Sequence, residues 1–427
     1  MRSKVQIITL GCSKNTVDTQ HVLGALPSDL FEIVDPEYSG YVDYLLVNTC
    51  GFIGDAKEES VEEILKCVRR KNDGLVGKLA VFGCLAQRYA AELPAEIPEV
   101  DAWFGARDFA PVAKYIYPKA VLGTSRHFEG ASYSYLKISE GCDRRCSYCA
   151  IPFIRGAHKS VPMEELVREA QELAGKGVKE LIIIAQDTTF YGLDLYGRRA
   201  LAELLRKLSA VPGIEWLRIH YSYPADFPLD VLEEMANNPK VCKYLDIPLQ
   251  HIADGVLDKM HRHVDGAWTR ELVAKMRATV PGVALRTTMI VGHPGESGED
   301  FKELLDFIKE AKFERLGAFR YSDEEGTWGA EHLKDNVPED VKNRRYEALM
   351  EAQSEISLNY NLSRVGKEEK VLVDSIYDGK LICRSQYESP EVDGEILVPA
   401  TPGIAPGDFI RVRITSADYY DLNAELI

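Results

Sequence analysis

The 427-residue chain predicts an α/β protein in three parts: an N-terminal parallel α/β domain, a central run of βα units and a C-terminal small antiparallel β-barrel. Three observations carry this expectation. From about residue 133 to 322, apolar strand-like runs alternate with amphipathic helical patterns, which implies a parallel sheet. Near the N-terminus, three further apolar runs each end in a small residue and a cysteine, with helical patterns between them, the mark of strands buried in a second parallel sheet. After Gly366 the hydrophobic period falls from 3.6 residues to two. The chain is also too long for one simple core.

In the N-terminal part, Val5–Leu10 leads into Gly11-Cys12, Tyr44–Asn48 into Thr49-Cys50-Gly51, and Lys78–Phe82 into Gly83-Cys84. Helical patterns at Thr16–Leu26 and Gly54–Val68 follow two of these runs. Strand ends in one α/β sheet meet at one edge, so three thiols distant in sequence are expected together. Nearby helix N-termini favour anionic thiolates or a cluster. One reading is a metal centre on Cys12, Cys50 and Cys84 with an open position; the other is three core cysteines.

The central strands are expected at Tyr135–Ser139, Glu180–Ala185, Trp216–Tyr221, Tyr244–Ile247, Val283–Val291 and Arg315–Tyr321. Helices are expected at Met163–Gly175, Leu201–Val211, Leu229–Asn237, Trp268–Val280 and Glu299–Lys312. In the first of these, Leu166, Val167, Ala170 and Leu173 keep helical spacing. The six units form either a doubly wound sheet or a partial barrel, and in both the site lies at the carboxyl ends of the strands.

Directly after the first of these strands comes Gly141-Cys142-Asp143-Arg144-Arg145-Cys146-Ser147-Tyr148-Cys149, a C-x3-C-x2-C run. Three thiolates so close together chelate one metal centre. A four-iron cluster that only carries electrons takes four cysteines, so three leave one iron open for chemistry. The alternative is zinc, with His158 as fourth ligand, although zinc spacings usually pair C-x2-C motifs or Cys pairs with His pairs. A disulfide is not expected, because the chain starts at Met1 without an apolar signal segment and reads as cytoplasmic. Other strand ends carry Gln186-Asp187-Thr188-Thr189, His220-Tyr221-Ser222, Pro248-Leu249-Gln250-His251 and Gly292-His293-Pro294-Gly295-Glu296. Each alone reads as loop punctuation; polar residues collecting on one rim read as a pocket.

A helical pattern from Val337 to Leu362, with Pro338 and Glu339 in its first turn, bridges to the last segment. There Val371/Val373, Ile396/Val398 and Ile410/Val412/Ile414 alternate as strands. Asp378-Gly379 marks a hairpin, and Pro390, Asp393-Gly394 and Pro402-Gly403 mark loops. Five strands in a small barrel are expected.

The composition is that of a soluble globular protein, 45% hydrophobic and 28% charged, with no apolar run long enough to span a bilayer. The net charge of -16 disfavours non-specific nucleic-acid binding and favours a basic partner. From Tyr360 to Ile427 there are seven Lys or Arg against twelve Asp or Glu, a net of -5, with no basic stripe or aromatic stacking run. Of the nine cysteines, Cys67, Cys242 and Cys383 stand outside the two sets and are expected as small core residues.

The C-x3-C-x2-C run with Tyr148 before its last cysteine resembles the signature of the radical S-adenosylmethionine (SAM) enzymes. The resemblance implies a [4Fe–4S] cluster on Cys142, Cys146 and Cys149, with SAM at the free iron and Tyr148 near its adenine. It also implies a partial (βα)6 radical SAM barrel whose strand ends contact SAM. Tyr148, Gln186, Asp187, Gln250, Arg286, Gly292 and Gly295 are the expected cofactor or substrate contacts. The related pattern usually has Phe where this chain has His293.

Together with the N-terminal set, the chain resembles the methylthiotransferases over essentially all of its length. That implies a domain over residues 1–122 holding an auxiliary [4Fe–4S] cluster on Cys12, Cys50 and Cys84. The radical SAM barrel would follow over 130–358 and a TRAM-like β-barrel over 360–427. All six cysteines are then catalytic. Gly11-Cys12-Ser13-Lys14-Asn15, Lys137–Cys142, Gln186-Asp187-Thr188 and Ala417–Leu422 are similar to the branch that modifies the β-carbon of an aspartate in the twelfth small-subunit ribosomal protein. That branch tends to have Trp-Gly where this chain has Asn423-Ala424. The partners implied are the basic ribosomal protein or the small ribosomal subunit, an unidentified reductant and an unidentified sulfur donor; no membrane is expected, and the chain is expected as a monomer. The competing readings are a transfer RNA adenosine methylthiotransferase and a non-catalytic iron–sulfur electron carrier.

Overall fold

The computed structural model describes residues 2–128 and 132–427. Residues 1 and 130, where the first two domains are expected to begin, lie outside the described residues. The chain divides into two compact units. One comprises Met1–Glu129, Ser139–Arg145 and Cys149–Glu172; the other comprises Gly130–Ile138, Cys146–Tyr148 and Leu173–Ile427.

In the first unit, β1 (Ser3–Thr9), β2 (Phe31–Ile33), β3 (Val42–Thr49), β4 (Val76–Gly83) and β5 (Ala102–Trp103) form a parallel sheet of order β2-β1-β3-β4-β5. The interior strands are β-branched and leucine-rich because both faces are covered: Leu45, Leu46, Val47, Leu79, Val81 and Phe82 are fully buried. The helices Ser13–Gly24 and Gly54–Asn72 follow β1 and β3. The next strand, β6 (Tyr133–Lys137), belongs to the second unit. A short antiparallel ribbon of β7 (Ser139–Glu140) and β8 (Lys159–Ser160) returns to the first.

In the second unit, β9 (Glu180–Ile184), β10 (Trp216–Ile219), β11 (Val241–Asp246), β12 (Ala284–Val291) and β13 (Arg315–Arg320) join β6 in a six-stranded parallel sheet. Its order, β13-β12-β11-β10-β9-β6, follows the chain without reversal. A doubly wound sheet reverses order at a switch point, so the sheet is of the partial-barrel kind. Two of its helices start on side-chain caps: Asp265 accepts from Trp268 N, and Ser297 with Asp300 forms a capping box.

The last five strands are β14 (Glu368–Tyr377), β15 (Lys380–Arg384), β16 (Ile396–Pro399), β17 (Phe409–Ala417) and β18 (Leu422–Leu426). They close a barrel in the order β14-β15-β16-β18-β17 around Val371, Val373, Leu381, Ile396, Val398, Val412 and Ile414. The turn at Asp378-Gly379 has positive φ at both residues, as a type I′ hairpin requires. The expectation of a wholly antiparallel barrel needs one correction. β16 pairs β18 in parallel. A closed ring with an odd number of strands cannot alternate direction all the way round.

This barrel packs on the parallel sheet through buried ion pairs. Glu180 of β9 meets Arg218 of β10 at 2.6 Å and Arg384 of β15 at 2.8 Å, and Arg218 also donates to the Ser385 and Gln386 carbonyls. Glu388, fully buried, accepts from Arg364 and from Arg315 of β13 at 3.0 Å. Burial pushes the Glu388 carboxyl up, but the two guanidiniums outweigh it and hold the group at about 2. A depressed carboxyl stabilises the fold above its unfolded value near 4.5 and loses that contribution as pH falls toward 2. Glu388→Gln is therefore expected to cost about 3 kcal/mol at neutral pH, since it takes the carboxylate partner from buried Arg315, whereas Arg364 keeps its pair with Glu369 at 2.6 Å. The gap between variant and parent should narrow in urea titrations repeated at falling pH below 4.5.

Candidate active site

The N-terminal cysteines stand where the ends of three adjacent strands place them. β1, β3 and β4 are neighbours, with Thr9 opposite Asn48, Asn48 opposite Phe82 and Thr49 opposite Gly83. Cys12 follows β1 and caps the helix Ser13–Gly24, Cys50 follows β3, and Cys84 opens a short helix after β4. Gly11 (φ 89°) is forced by the approach: a Cβ there would lie 2.7 Å from Cys50 Cβ and 2.9 Å from its Sγ. Cys12 and Cys50 are half-buried and Cys84 is buried. Burial pushes the Cys84 thiol up to about 11 while Arg155 pulls it down, and the Cys12 and Cys50 thiols push it further up. Burial raises the Cys50 thiol also, with Cys12 adding to it. The three thiols thus feel one another, as ligands of a common centre must. Metal uptake by raised thiols releases protons and strengthens with pH.

Arg155 and Asn15 support this cradle. The Asn15 amide donates to the Leu10 carbonyl at 2.8 Å and the Thr49 carbonyl at 3.2 Å, tying the ends of β1 and β3. Its oxygen accepts from Arg155 Nη2 at 2.5 Å, and Arg155 Nε donates to Cys84 Sγ at 3.3 Å.

The second cysteine set lies on the loop between β7 and the helix Ile151–Arg155. In the first unit, Cys142 and Cys149 are half-buried, and Cys142 N donates to the Gly156 carbonyl at 3.0 Å. Gly141 (φ 74°) has no room for a Cβ, which would run into the Ala157 carbonyl oxygen. His158, the alternative zinc ligand, has its Nε2 3.0 Å from Ser160 Oγ. Among the described residues, no three His, Cys, Asp or Glu side chains are grouped so as to hold a single metal ion; a four-iron cluster takes its thiolates on separate irons.

In the second unit, buried Cys146 receives a second arginine: Arg262 Nη1 lies 3.4 Å from its Sγ, and Tyr223 OH lies 3.7 Å from it. Arg262 also donates to Tyr148 OH at 3.3 Å and the Pro248 carbonyl at 2.5 Å, with its guanidinium 4.2 Å over the Tyr223 ring. His261 and His263 flank it in left-handed backbone, a strained turn that holds the guanidinium in place. Tyr148 packs beside Ala253, Val256, Met260, Ile290 and Tyr321. A charge-assisted hydrogen bond contributes about 1.5–3 kcal/mol. Arg262→Met is expected to weaken retention of iron by this cysteine set by roughly tenfold or more, read as loss of iron on gel filtration after anaerobic reconstitution.

The other expected contacts are placed unequally. Gln250 follows β11 in a left-handed conformation (φ 74°) and is held through Thr288 and Ile290. Its amide oxygen, like the hydroxyls of Ser222 and Ser147, is buried with no hydrogen-bond partner among the described residues. Orphaned polar atoms at the strand ends fit a polar ligand such as SAM. Asp187 accepts from Thr189 N and Oγ and caps a turn after Gln186. Gly292 and Gly295 have positive φ, and the side chains of Lys342 and Lys259 occupy the space that a Cβ at each would need. Arg286 pairs with Asp246 at 3.0 Å, approaches Asp393 at 3.7 Å and lines a cavity of about 330 Å³ against the C-terminal barrel. His293 is fully buried, edge-on to Tyr321, and burial lowers it to about 4, so it fills the place of Phe as a neutral ring. Arg155 and Arg262 have no signal in the sequence, because their roles arise from strands and turns remote in the chain; Asn15 stands in the Gly11–Asn15 run, but nothing there shows its contact with Arg155.

Residues 136–308 match the Radical SAM superfamily, residues 4–105 match Uncharacterized protein family UPF0004, and residues 365–427 match the TRAM domain. The chain is 48% identical to the ribosomal protein uS12 methylthiotransferase RimO of Porphyromonas gingivalis over 100% of this chain and 99% of the relative. It is 46% identical to that of Phocaeicola vulgatus (100% and 100%) and 47% identical to that of Flavobacterium johnsoniae (99% and 98%). Among solved structures, the radical SAM methyltransferase TsrM from Kitasatospora setae, with cobalamin and a [4Fe–4S] cluster bound, superposes with a TM-score of 0.56 at 14% identity. The match covers 75% of this chain and 72% of that one. OxsB, a cobalamin-dependent SAM radical enzyme, superposes with a TM-score of 0.52 at 11% identity, over 82% of this chain and 56% of its own. Both likenesses concern the fold.

Proposed function

Since the chain belongs to the RimO family of radical SAM methylthiotransferases, we propose that it replaces a hydrogen on the β-carbon of an aspartate in ribosomal protein uS12 with a methylthio group. It does so with two [4Fe–4S] clusters and SAM. The observation that carries the reading is the pair of three-cysteine sets, each with a buried arginine donating to one of its sulfurs.

An unactivated C–H bond has no acidity that a side-chain base can use. Bound clusters and SAM supply what side chains cannot: a carbon radical that takes the hydrogen atom, and sulfur at an open iron. The chain's residues do the rest. Cys142, Cys146 and Cys149 would hold one cluster, with Tyr148, Gln186 and Gln250 as contacts for SAM. Cys12, Cys50 and Cys84 would hold the second cluster, which would supply the sulfur. Arg262 and Arg155 offset the thiolate charge. The acidic C-terminal barrel suits a basic protein partner.

No helix among the described residues is long and apolar enough to cross a membrane. The reductant and the sulfur donor are separate partners. The test is anaerobic incubation of the reconstituted protein with SAM, a strong reductant, sulfide and uS12. A methylthio group on one aspartate is the expected product; unmodified uS12 alongside ready SAM cleavage contradicts the substrate assignment.

A further inference from the structure

We propose that Arg155 is a positioning residue for the cluster on Cys12, Cys50 and Cys84: it fixes the Cys84 sulfur in the strand-end cradle and raises that cluster's reduction potential. The inference rests on the two-cluster reading above.

Arg155 closes the short helix Ile151–Arg155 and is only 3% exposed. All three nitrogens of its guanidinium donate hydrogen bonds. Nη1 donates to Asp18 at 2.7 Å and to Glu140 at 3.1 Å, Nη2 donates to Asn15 Oδ1 at 2.5 Å, and Nε donates to Cys84 Sγ at 3.3 Å. A buried charge persists where its partners are held in place, and the rigid fork of an arginine reaches several partners at once where an ammonium cannot. The partners other than Cys84, among them the Ala106 carbonyl at 3.5 Å, are oxygens, which set the plane of the guanidinium. The remaining donor is thereby aimed at the sulfur. Through Asn15 the same network reaches the ends of β1 and β3, beside Cys12 and Cys50.

The potential of an iron–sulfur cluster depends on net charge and on hydrogen bonds to its sulfurs. A cation donating to a ligand sulfur stabilises the reduced, more negative cluster and raises the potential. Asp18, 1% exposed and paired to the same guanidinium, acts in the opposite sense. A merely structural role for Arg155 predicts no such opposition.

The test uses the full-length protein with Cys142, Cys146 and Cys149 all changed to Ala, reconstituted anaerobically with iron and sulfide, so that one cluster remains. Its midpoint potential is read by redox titration followed by electron paramagnetic resonance. Arg155→Gln is expected to shift the midpoint to more negative values, Asp18→Asn to more positive values, and Arg155→Lys to fall between Gln and the parent. If Arg155→Gln loses its iron, Asp18→Asn and Arg155→Lys still carry the signs. Midpoints that stay put, or that move in one direction for both Arg155→Gln and Asp18→Asn, overturn the proposal. Failure of the parent variant to bind any cluster overturns the two-cluster reading and the proposal with it, a result distinct from an unmoved potential.

Discussion

Cys142→Ala is expected to abolish reductive cleavage of SAM, lowering 5′-deoxyadenosine formation to background and methylthiolation with it. The loss follows from ligand count. Three thiolates would leave one iron for SAM, and the variant would keep only two of them, with His158 Nε2 engaged by Ser160 Oγ at 3.0 Å. The local fold gives no reason to fail otherwise. Gly141 fixes the turn, and the hydrogen bond from residue 142 to the Gly156 carbonyl uses backbone atoms that alanine retains. The check is chromatographic assay of 5′-deoxyadenosine under dithionite, with far-UV circular dichroism to verify folding. The outcome also bears on the electron-carrier reading, which predicts no SAM cleavage even in the parent.

Cys12→Ala is expected to separate the two halves of the reaction. SAM cleavage should persist, because Cys142, Cys146 and Cys149 are intact, whereas methylthiolated product should fall to background. Cys12 lies beside Cys50 in the strand-end cradle, and alanine there leaves two thiolates for the second cluster. Iron should drop from about eight to about four per chain if each set holds a four-iron cluster. Product formed by Cys12→Ala at the parent's rate would remove the auxiliary role from this set.

Much of this arrangement is legible in the sequence for identifiable reasons. β3 and β4 are apolar on both faces, so their runs stand out, and the thiols after them announce a shared edge. β2 and β5, with three and two residues, and the two-residue strands of the ribbon carry no period and are set by their neighbours. β15 and β18 give no clear strand pattern, because the apolar run of β15 is only three residues between Lys380 and Arg384, and Asn423 and Glu425 interrupt β18. The parallel pairing of β16 with β18 follows from closure of a five-membered ring, which no local pattern encodes.

The site divides in the same way. Cysteine chemistry is narrow, so the spacing of Cys142, Cys146 and Cys149 points to one class of centre. Arginine chemistry is broad, and nothing in Ile151–Arg155 or in His261-Arg262-His263 distinguishes a sulfur donor from a surface cation. Only the fold places those guanidiniums at 3.3 and 3.4 Å from sulfur. Arg286, expected as a contact from the resemblance, is set by strand register against Asp246 and next to Asp393.

The most direct test of the account is a divided reaction. Anaerobically reconstituted protein with SAM, reductant and sulfide is given purified uS12 in one half and transfer RNA in the other, and both are read by mass spectrometry. The account predicts a methylthio group on a single uS12 aspartate and none on the RNA. Modification of the RNA alone would keep the cluster chemistry and contradict the substrate.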